Sequence, residues 1–243
     1  MFIAFQVKPI KVSNMNKHDI EKEVRRLQLE IWNCRAVRYS MGVPGIPTIF
    51  DPRNVADYCG LYFDVRDKLN TDYQGGGEAA GLWQRDRSTI LVSSRFSFEV
   101  QKFTAAHEIG HFILHPSVGD RTLHRELPIN GTRYNRSSIE READYFAACL
   151  LMPRKAVSSE FQARFNSKPP LALTETVAFH LKADAGMLFS QPRGSLAFAE
   201  AVARAEQFDR RNFYSLAKFF GVSVSAMAIR LDELGLVASY LYS

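Results

Sequence analysis

At 243 residues, with 46% hydrophobic and 23% charged side chains, the chain is long enough to bury a real core, and its balance excludes the disordered and fibrous classes. No apolar run reaches the length of a bilayer span, and the start "MFIAFQVKPIKV" lacks the basic flank and cleavage site of a signal peptide, so it reads as the first strand of a cytoplasmic protein without membrane partners. The net charge of +5 is diffuse, with no block of five like charges, so charge by itself argues only weakly for a nucleic-acid partner.

In chain order, Ile20, Val24, Leu27 and Ile31 form one helical stripe between Asn16, which is placed to cap it, and about Arg35. Gly42 to Pro52 is turn and loop by its glycines and prolines, and "NVADYCGLYFDV" then reads as a short helix, a stop at Gly60 and a strand. The triplet Gly75-Gly76-Gly77 opens a loop and not a phosphate cradle, because no GK[ST] follows. "AAGLWQ" and "STILVSS" flank a charged turn at Arg85-Asp86-Arg87 and should pair antiparallel. A helix capped by Ser97 follows and ends before Pro116, a polar irregular stretch runs to Ser137, and a second helix spans Ile139 to Met152. Cys34, Cys59 and Cys149 are odd in number and scattered, the usage of reduced core residues.

The first of these two helices carries "FTAAHEIGHFILHP", Phe103 to Pro116. On an α-helix His107 and His111 lie one turn apart and about 40° apart around the axis, so both imidazoles can converge on one ion. Glu108 flanks that face, within reach of a water at the ion without being a ligand, which is the HExxH arrangement. Two neutral imidazoles and one further protein ligand leave a zinc coordination position open for hydrolytic chemistry, with a carboxylate as proton acceptor. Such a five-residue pattern arises by chance in about one in a hundred chains of this size, so it needs a third ligand. The metzincin spacing is excluded because positions 114 and 117 hold Leu114 and Ser117. His115 is about 12 Å along the axis from His107, so the three histidines cannot share an ion, and its expected role is packing or capping the helix end.

"SSIEREADYFAACLLMP" supplies the remaining candidate. Glu140, Asp144, Ala147 and Leu151 share one face of a helix whose second half is apolar all round, so that face should point inward. Glu140 can then complete a zinc site of gluzincin type, with Asp144 one turn later accepting the other N–H of a ligating histidine. Ser137 to Glu140 equally fits a capping box, with Glu140 folded back on the backbone. Glu142 points elsewhere and is expected in solvent.

"QKFTAAHEIGHFILH" followed by "EREADYFAACLLMP" resembles the ImmA/IrrE family of metallo-endopeptidases, in which an HExxH helix and a later E-x-x-A-[ND]-x-F-A helix form the zinc site. The resemblance extends to "GIPTIFDPRNVADYCGL", to "GLWQRDRSTILVSSR" and to "LAKFFGVSVSAMAIRLDELGLV", most of the chain from about residue 45. It implies that His107, His111 and Glu140 bind one Zn2+, that Glu108 is the general base, and that another divalent metal can take zinc's place. The fold implied is α+β: a small twisted, mainly antiparallel sheet with the HExxH and third-ligand helices in a zinc peptidase domain over 1–155, then a mainly helical region over 156–243 with a helix-turn-helix-like segment near 212–237. Such proteins cleave a cytoplasmic helix-turn-helix repressor, relieving repression of mobile-element or stress-response genes. The chain has Asp144 where asparagine is frequent in the family, and it reads as too short to carry the C-terminal sensor domain of some relatives.

Two other readings use the same residues. Ala217 and Gly221 have helix-turn-helix spacing, with Ser223 or Ser225 as cap, which suits a DNA-binding regulator with a metal- or ligand-sensing peptidase-like domain; its recognition helix would present Ser225, Ala226, Ala228 and Arg230, thin tools for reading bases. The toxin of a toxin–antitoxin pair would share the chemistry and differ in target. For a peptidase, an edge strand such as Leu82 to Gln84 is placed to pair with an extended substrate, and His124, Tyr134 and Tyr145 are candidate oxyanion donors.

Overall fold

The computed structural model describes residues 15–69, 79–116, 124–126, 137–192 and 194–239. The strand expected at 1–12, the loop expected at Gly75–Gly77 and most of the stretch between Pro116 and Ser137 lie outside them. The described residues form twelve helices and several small sheets, an α+β chain that divides into two compact units, Met1–Leu151 and Met152–Ser243. No helix among the described residues is long and apolar enough to cross a membrane.

The first unit opens with α1 (Lys17–Asn33), capped by the Asn16 side chain accepting from the Asp19 N–H, with Ile20, Val24, Leu27 and Ile31 all buried as the stripe requires. Two one-turn helices follow, α2 (Arg35–Arg38) and α3 (Ile46–Ile49), the latter inside the segment expected to be loop. Next come α4 (Pro52–Tyr58), a left-handed Gly60 with φ +73°, and β1 (Tyr62–Arg66). β2 (Ala79–Gln84) and β3 (Thr89–Ser93) form the antiparallel hairpin, with Leu82 opposite Leu91 and Trp83 opposite Ile90. Then α5 (Phe98–Leu114), β4 (His124–Glu126) and α6 (Ser138–Leu151) complete the unit.

The sheet order is β1-β3-β2-β4, with β1 parallel to β3 and the other pairings antiparallel. β4, formed within a stretch read as irregular, pairs with Ala79, Gly81 and Leu82, so of the edge expected at Leu82 to Gln84 it covers Leu82, and among the described residues the pairing does not extend to Trp83 and Gln84. α5 lies on this sheet and α6 packs along α5, with α1 against α6. The residues of α5 from Thr104 to His111 are buried without a break, because the helix is covered on opposite sides by sheet and helix.

Glycine sets one of these approaches. A Cβ at Gly81 would overlap the Thr104 methyl group and sit 3.0 Å from the Leu91 carbonyl oxygen, so β2 can touch α5 only without a side chain there. Gly81→Ala is expected to destabilise the protein by about 1–3 kcal/mol, since overpacking a filled interior forces strand and helix apart. Denaturant unfolding that leaves the midpoint unchanged would show that the strand gives way freely.

The second unit comprises α7 (Arg154–Phe165), β5 (Leu171–Ala172), α8 (Glu175–His180), α9 (Ala185–Phe189), α10 (Ala197–Arg204), the hairpin β6 (Gln207–Phe208) and β7 (Arg211–Asn212), α11 (Leu216–Phe220), α12 (Val224–Glu233) and β8 (Val237–Ala238). β5 pairs parallel with β8, and α12 packs on α10. Between α11 and α12 Gly221 adopts φ +64° and Ser223 caps α12 by accepting from the Ala226 N–H, the turn chemistry expected of this segment. Of the four residues on the face expected to read bases, Ser225 is exposed and Ala226 half-buried, while Ala228 and Arg230 are turned inward. Ala228 is fully buried, Arg230 is 2% exposed with its Nε donating to the Met152 carbonyl, and the Ser225 hydroxyl donates to Glu200. The lone arginine of that face is spent on packing α12.

Candidate metal centre

Ser97 starts α5 by accepting from the Val100 N–H, and Ser137 starts α6 by accepting from the Glu140 N–H. Only half of the capping box forms, because the Glu140 carboxylate turns away from its own backbone and meets α5. Its Oε2 lies 3.2 Å from His107 Nε2 and its Oε1 3.3 Å from His111 Nε2, while the two Nε2 atoms are 3.0 Å apart. One ligand atom from each of these three side chains falls within 4.8 Å of the others.

The second helix reaches the first through a second glycine. A Cβ at Gly110 would be 3.1 Å from Phe146 Cδ1 and 3.3 Å from both Cα and O of Ala143. The glycine within HEIGH and the alanine within EREAD thus allow α5 and α6 to approach closely one turn from Glu140.

Asp144 lies where its spacing predicts, with Oδ1 3.0 Å from His107 Nδ1. A neutral His107 therefore donates from Nδ1 to the carboxylate and keeps its Nε2 lone pair directed at His111 and Glu140. Glu108 is fully buried, and its charge is near enough to His107 to stabilise the imidazolium.

Two residues have roles that the spacing did not reveal. Glu142, expected in solvent, is 7% exposed, and its Oε2 is 3.0 Å from Nε2 of His115. His115, itself 3% exposed, is the C-cap residue of α5, as expected, but its Nδ1 also meets His111 Nδ1 at 3.1 Å. His115 lies one turn beyond HExxH and Glu142 occupies an unspecified position of the E-x-x-A-[ND]-x-F-A pattern, so neither gave a spacing signal of its own; the signal available was a histidine one turn beyond a ligand histidine. Of the candidate oxyanion donors, the Tyr145 hydroxyl donates to Glu21 at 2.7 Å, whereas Tyr134 and the side chain of His124 lie outside the described residues.

The protonation pattern follows from this packing. Burial opposes charge on His107, but the hydrogen bonds to Asp144 and Glu140, with Glu108 nearby, carry its pKa above the ordinary value. Burial lowers His111 to about 4, so that ring is neutral near pH 7. Burial would raise Glu140, and the hydrogen bonds from His107 and His111 overcome it and hold the carboxyl well below the usual carboxylate range. Burial also pulls His115 below its ordinary value.

This donor set fits a divalent cation. Two imidazole Nε2 atoms and a carboxylate converge at 3.0–3.3 Å, held together by shared protons that a divalent cation can replace. Nitrogen and carboxylate donors of this kind suit zinc.

Residues 45–184 match the Peptidase_M78 family model, described as the IrrE N-terminal-like domain. Metallopeptidase ImmA of Bacillus subtilis (strain 168) is 30% identical over 84 residues, which are 34% of this chain and 47% of that protein. The chain thus spans about half the length of the curated relative it matches. With the family model matching more than half of its residues, the convergence of HExxH and Glu140 has a family to go with it: the chain belongs to Peptidase_M78, the family of the IrrE N-terminal-like domain.

Proposed function

We propose that the protein is a zinc-dependent endopeptidase that acts in the cytoplasm on a helix-turn-helix transcriptional repressor and so relieves repression. The observation that carries this reading is the convergence of His107 Nε2, His111 Nε2 and the Glu140 carboxylate, with Glu108 buried on the same helix. His107, His111 and Glu140 would hold the metal, Asp144 would orient His107, and Glu108 would be the general base. The peptidase domain is taken as residues 1–155 and the helical region as 156–243. The repressor as target rests on family membership and on the ImmA relative, not on a feature of the site.

Zinc, when bound, supplies Lewis acidity toward the scissile carbonyl and lowers the cost of negative charge developing on it. The chain's own groups do the rest. Glu108 takes the proton from the attacking water and delivers it to the departing amide nitrogen, which leaves as an amine. Its burial keeps bulk water from competing for that proton. Asp144 holds the His107 ring so that Nε2 presents its lone pair, and Glu140 balances charge without a proton of its own. An extended substrate can add to the outer edge of β4 through main-chain hydrogen bonds.

The test is incubation of the protein with a helix-turn-helix repressor, the first choice being any such protein found encoded beside it, followed by mass spectrometry. The expected result is a defined pair of fragments, lost when a chelator strips the metal and restored when zinc is added back. Intact repressor under zinc-loaded conditions would overturn the substrate, and cleavage indifferent to chelation would overturn the metal.

The DNA-binding alternative gains no support from α12, whose Arg230 is buried.

A further inference from the structure

We infer that His115 and Glu142 form a positioning relay for His111, the counterpart of Asp144 for His107, so that both members of the HExxH pair are held in the metal-ready tautomer by a chain ending in a carboxylate. The inference rests on the reading of His107, His111 and Glu140 as metal ligands and extends it to two residues that the HExxH and E-x-x-A-[ND]-x-F-A patterns leave unspecified.

The geometry is a line of three side chains. His111 Nδ1 lies 3.1 Å from His115 Nδ1, and His115 Nε2 lies 3.0 Å from Glu142 Oε2. All three are at most 7% exposed, so water is in no position to stand in for any of these contacts. Two imidazole nitrogens at this distance share one proton, which can sit on either ring, and the two choices have opposite consequences for the metal.

Suppose His111 carries it. His111 Nδ1 then donates to a bare His115 Nδ1, His115 holds its own proton on Nε2, and that N–H donates to the Glu142 carboxylate. Every polar atom in the line is satisfied, and with a cation in place of the proton that otherwise links His111 Nε2 to Glu140, the Nε2 lone pair is free to coordinate it. Suppose instead that His115 carries it. The His111 proton then moves to Nε2, where it blocks coordination, and the lone pair of His115 Nε2 faces the Glu142 carboxylate at 3.0 Å with no hydrogen between them. That contact is repulsive in a buried setting. Glu142 thus selects the tautomer of His111 from two residues away.

This also accounts for the cost of the arrangement. A buried carboxylate is expensive to desolvate, and a histidine needing only to be satisfied in a core could donate to any backbone carbonyl. A charged acceptor is the group that makes one tautomer dominant. The two ligating histidines are served by different routes because Asp144 reaches His107 directly, whereas His111, one turn further along α5, is reached through His115 from Glu142 on the same α6.

The experiment measures zinc affinity of the full chain by competition with a chromogenic chelator, together with thermal unfolding of the metal-free protein. His115→Phe removes the acceptor at similar volume, and a folded variant is expected to bind zinc about 10–100-fold more weakly. Glu142→Gln, which keeps the shape and weakens the acceptor, should lose affinity in the same direction by a smaller factor. The double variant should be no worse than His115→Phe, since the two residues act in series. Imidazole 15N spectra of the zinc-loaded protein should show His111 protonated on Nδ1 and His115 on Nε2, a signature that mere packing would not produce. Wild-type affinity in a folded His115→Phe, independent effects of the two changes, or His115 protonated on Nδ1 would overturn the relay. If His115→Phe does not fold, Glu142→Gln and the wild-type spectra decide it. Wild-type protein that binds no zinc, or whose affinity survives His107→Ala, would overturn the metal centre itself and with it the relay; intact wild-type binding with unchanged His115 and Glu142 variants overturns the relay alone.

Discussion

Glu108→Gln is expected to leave zinc bound at wild-type stoichiometry while slowing peptide cleavage by about 10²–10⁴-fold, the range that a positioned general base contributes. Glutamine has the shape of glutamate and no charge, and Glu108 is fully buried, so the substitution relieves desolvation and should leave the fold at least as stable. The metal and the chemistry are thereby separated. Metal analysis of the purified variant reads the first and a single-turnover cleavage assay the second. A zinc-loaded variant that cleaves at the wild-type rate would remove Glu108 as the base, and a variant that has lost its zinc would make the residue part of the site's construction.

Gly110→Leu should be the most damaging change that touches no ligand. Even a Cβ there meets Phe146 Cδ1 at 3.1 Å and the Ala143 backbone at 3.3 Å, so the further atoms of leucine have no room unless α6 moves off α5. The cost in stability is expected at about 1–3 kcal/mol or more. The cost to the site should be larger in proportion, because Glu140 is carried on the helix that moves while His107 and His111 stay on the other. Zinc affinity should fall at least about 100-fold, read by the same chelator competition, with stability taken from denaturant unfolding. Gly110→Ala is the control: the helix-propensity gain of about 1 kcal/mol opposes a displacement of a few tenths of an ångström, and its stability should stay near wild type. Wild-type stability and affinity in the leucine variant would mean that the close crossing is not what seats Glu140.

What could be read from the sequence was what repeats locally. The stripe of α1, the Ser97 cap, the hairpin, and the inward face carrying Glu140 and Asp144 all follow from periodicities of one or two turns or from a pair of adjacent strands. The parallel pairing of β1 with β3 depends on a crossover that no short window encodes. β4 is three residues long, too short to show alternation, and its presence covers β2 from Ala79 to Leu82. Glu142 and Arg230 were misplaced for a common reason. Each is polar on a helix, and whether a polar side chain faces solvent depends on what covers that side of the helix, which for Glu142 is the last turn of α5 with His115 and for Arg230 is the carbonyl of Met152. The capping-box question at Glu140 turns on its neighbours too: the backbone N–H donates to the Ser137 hydroxyl while the carboxylate goes to the histidines.

The unbroken burial of α5 from Thr104 to His111 has a consequence for how such an enzyme can diversify. A stretch of helix buried all round offers no residue that can drift without disturbing the sheet beneath or the helix above, so the site and its support must be inherited together or lost together. On the proposed peptidase reading, preference for one target over another has to be recorded elsewhere in the polypeptide, in strand borders, connecting segments and the helical region, where a new side chain meets a partner without disturbing the metal centre.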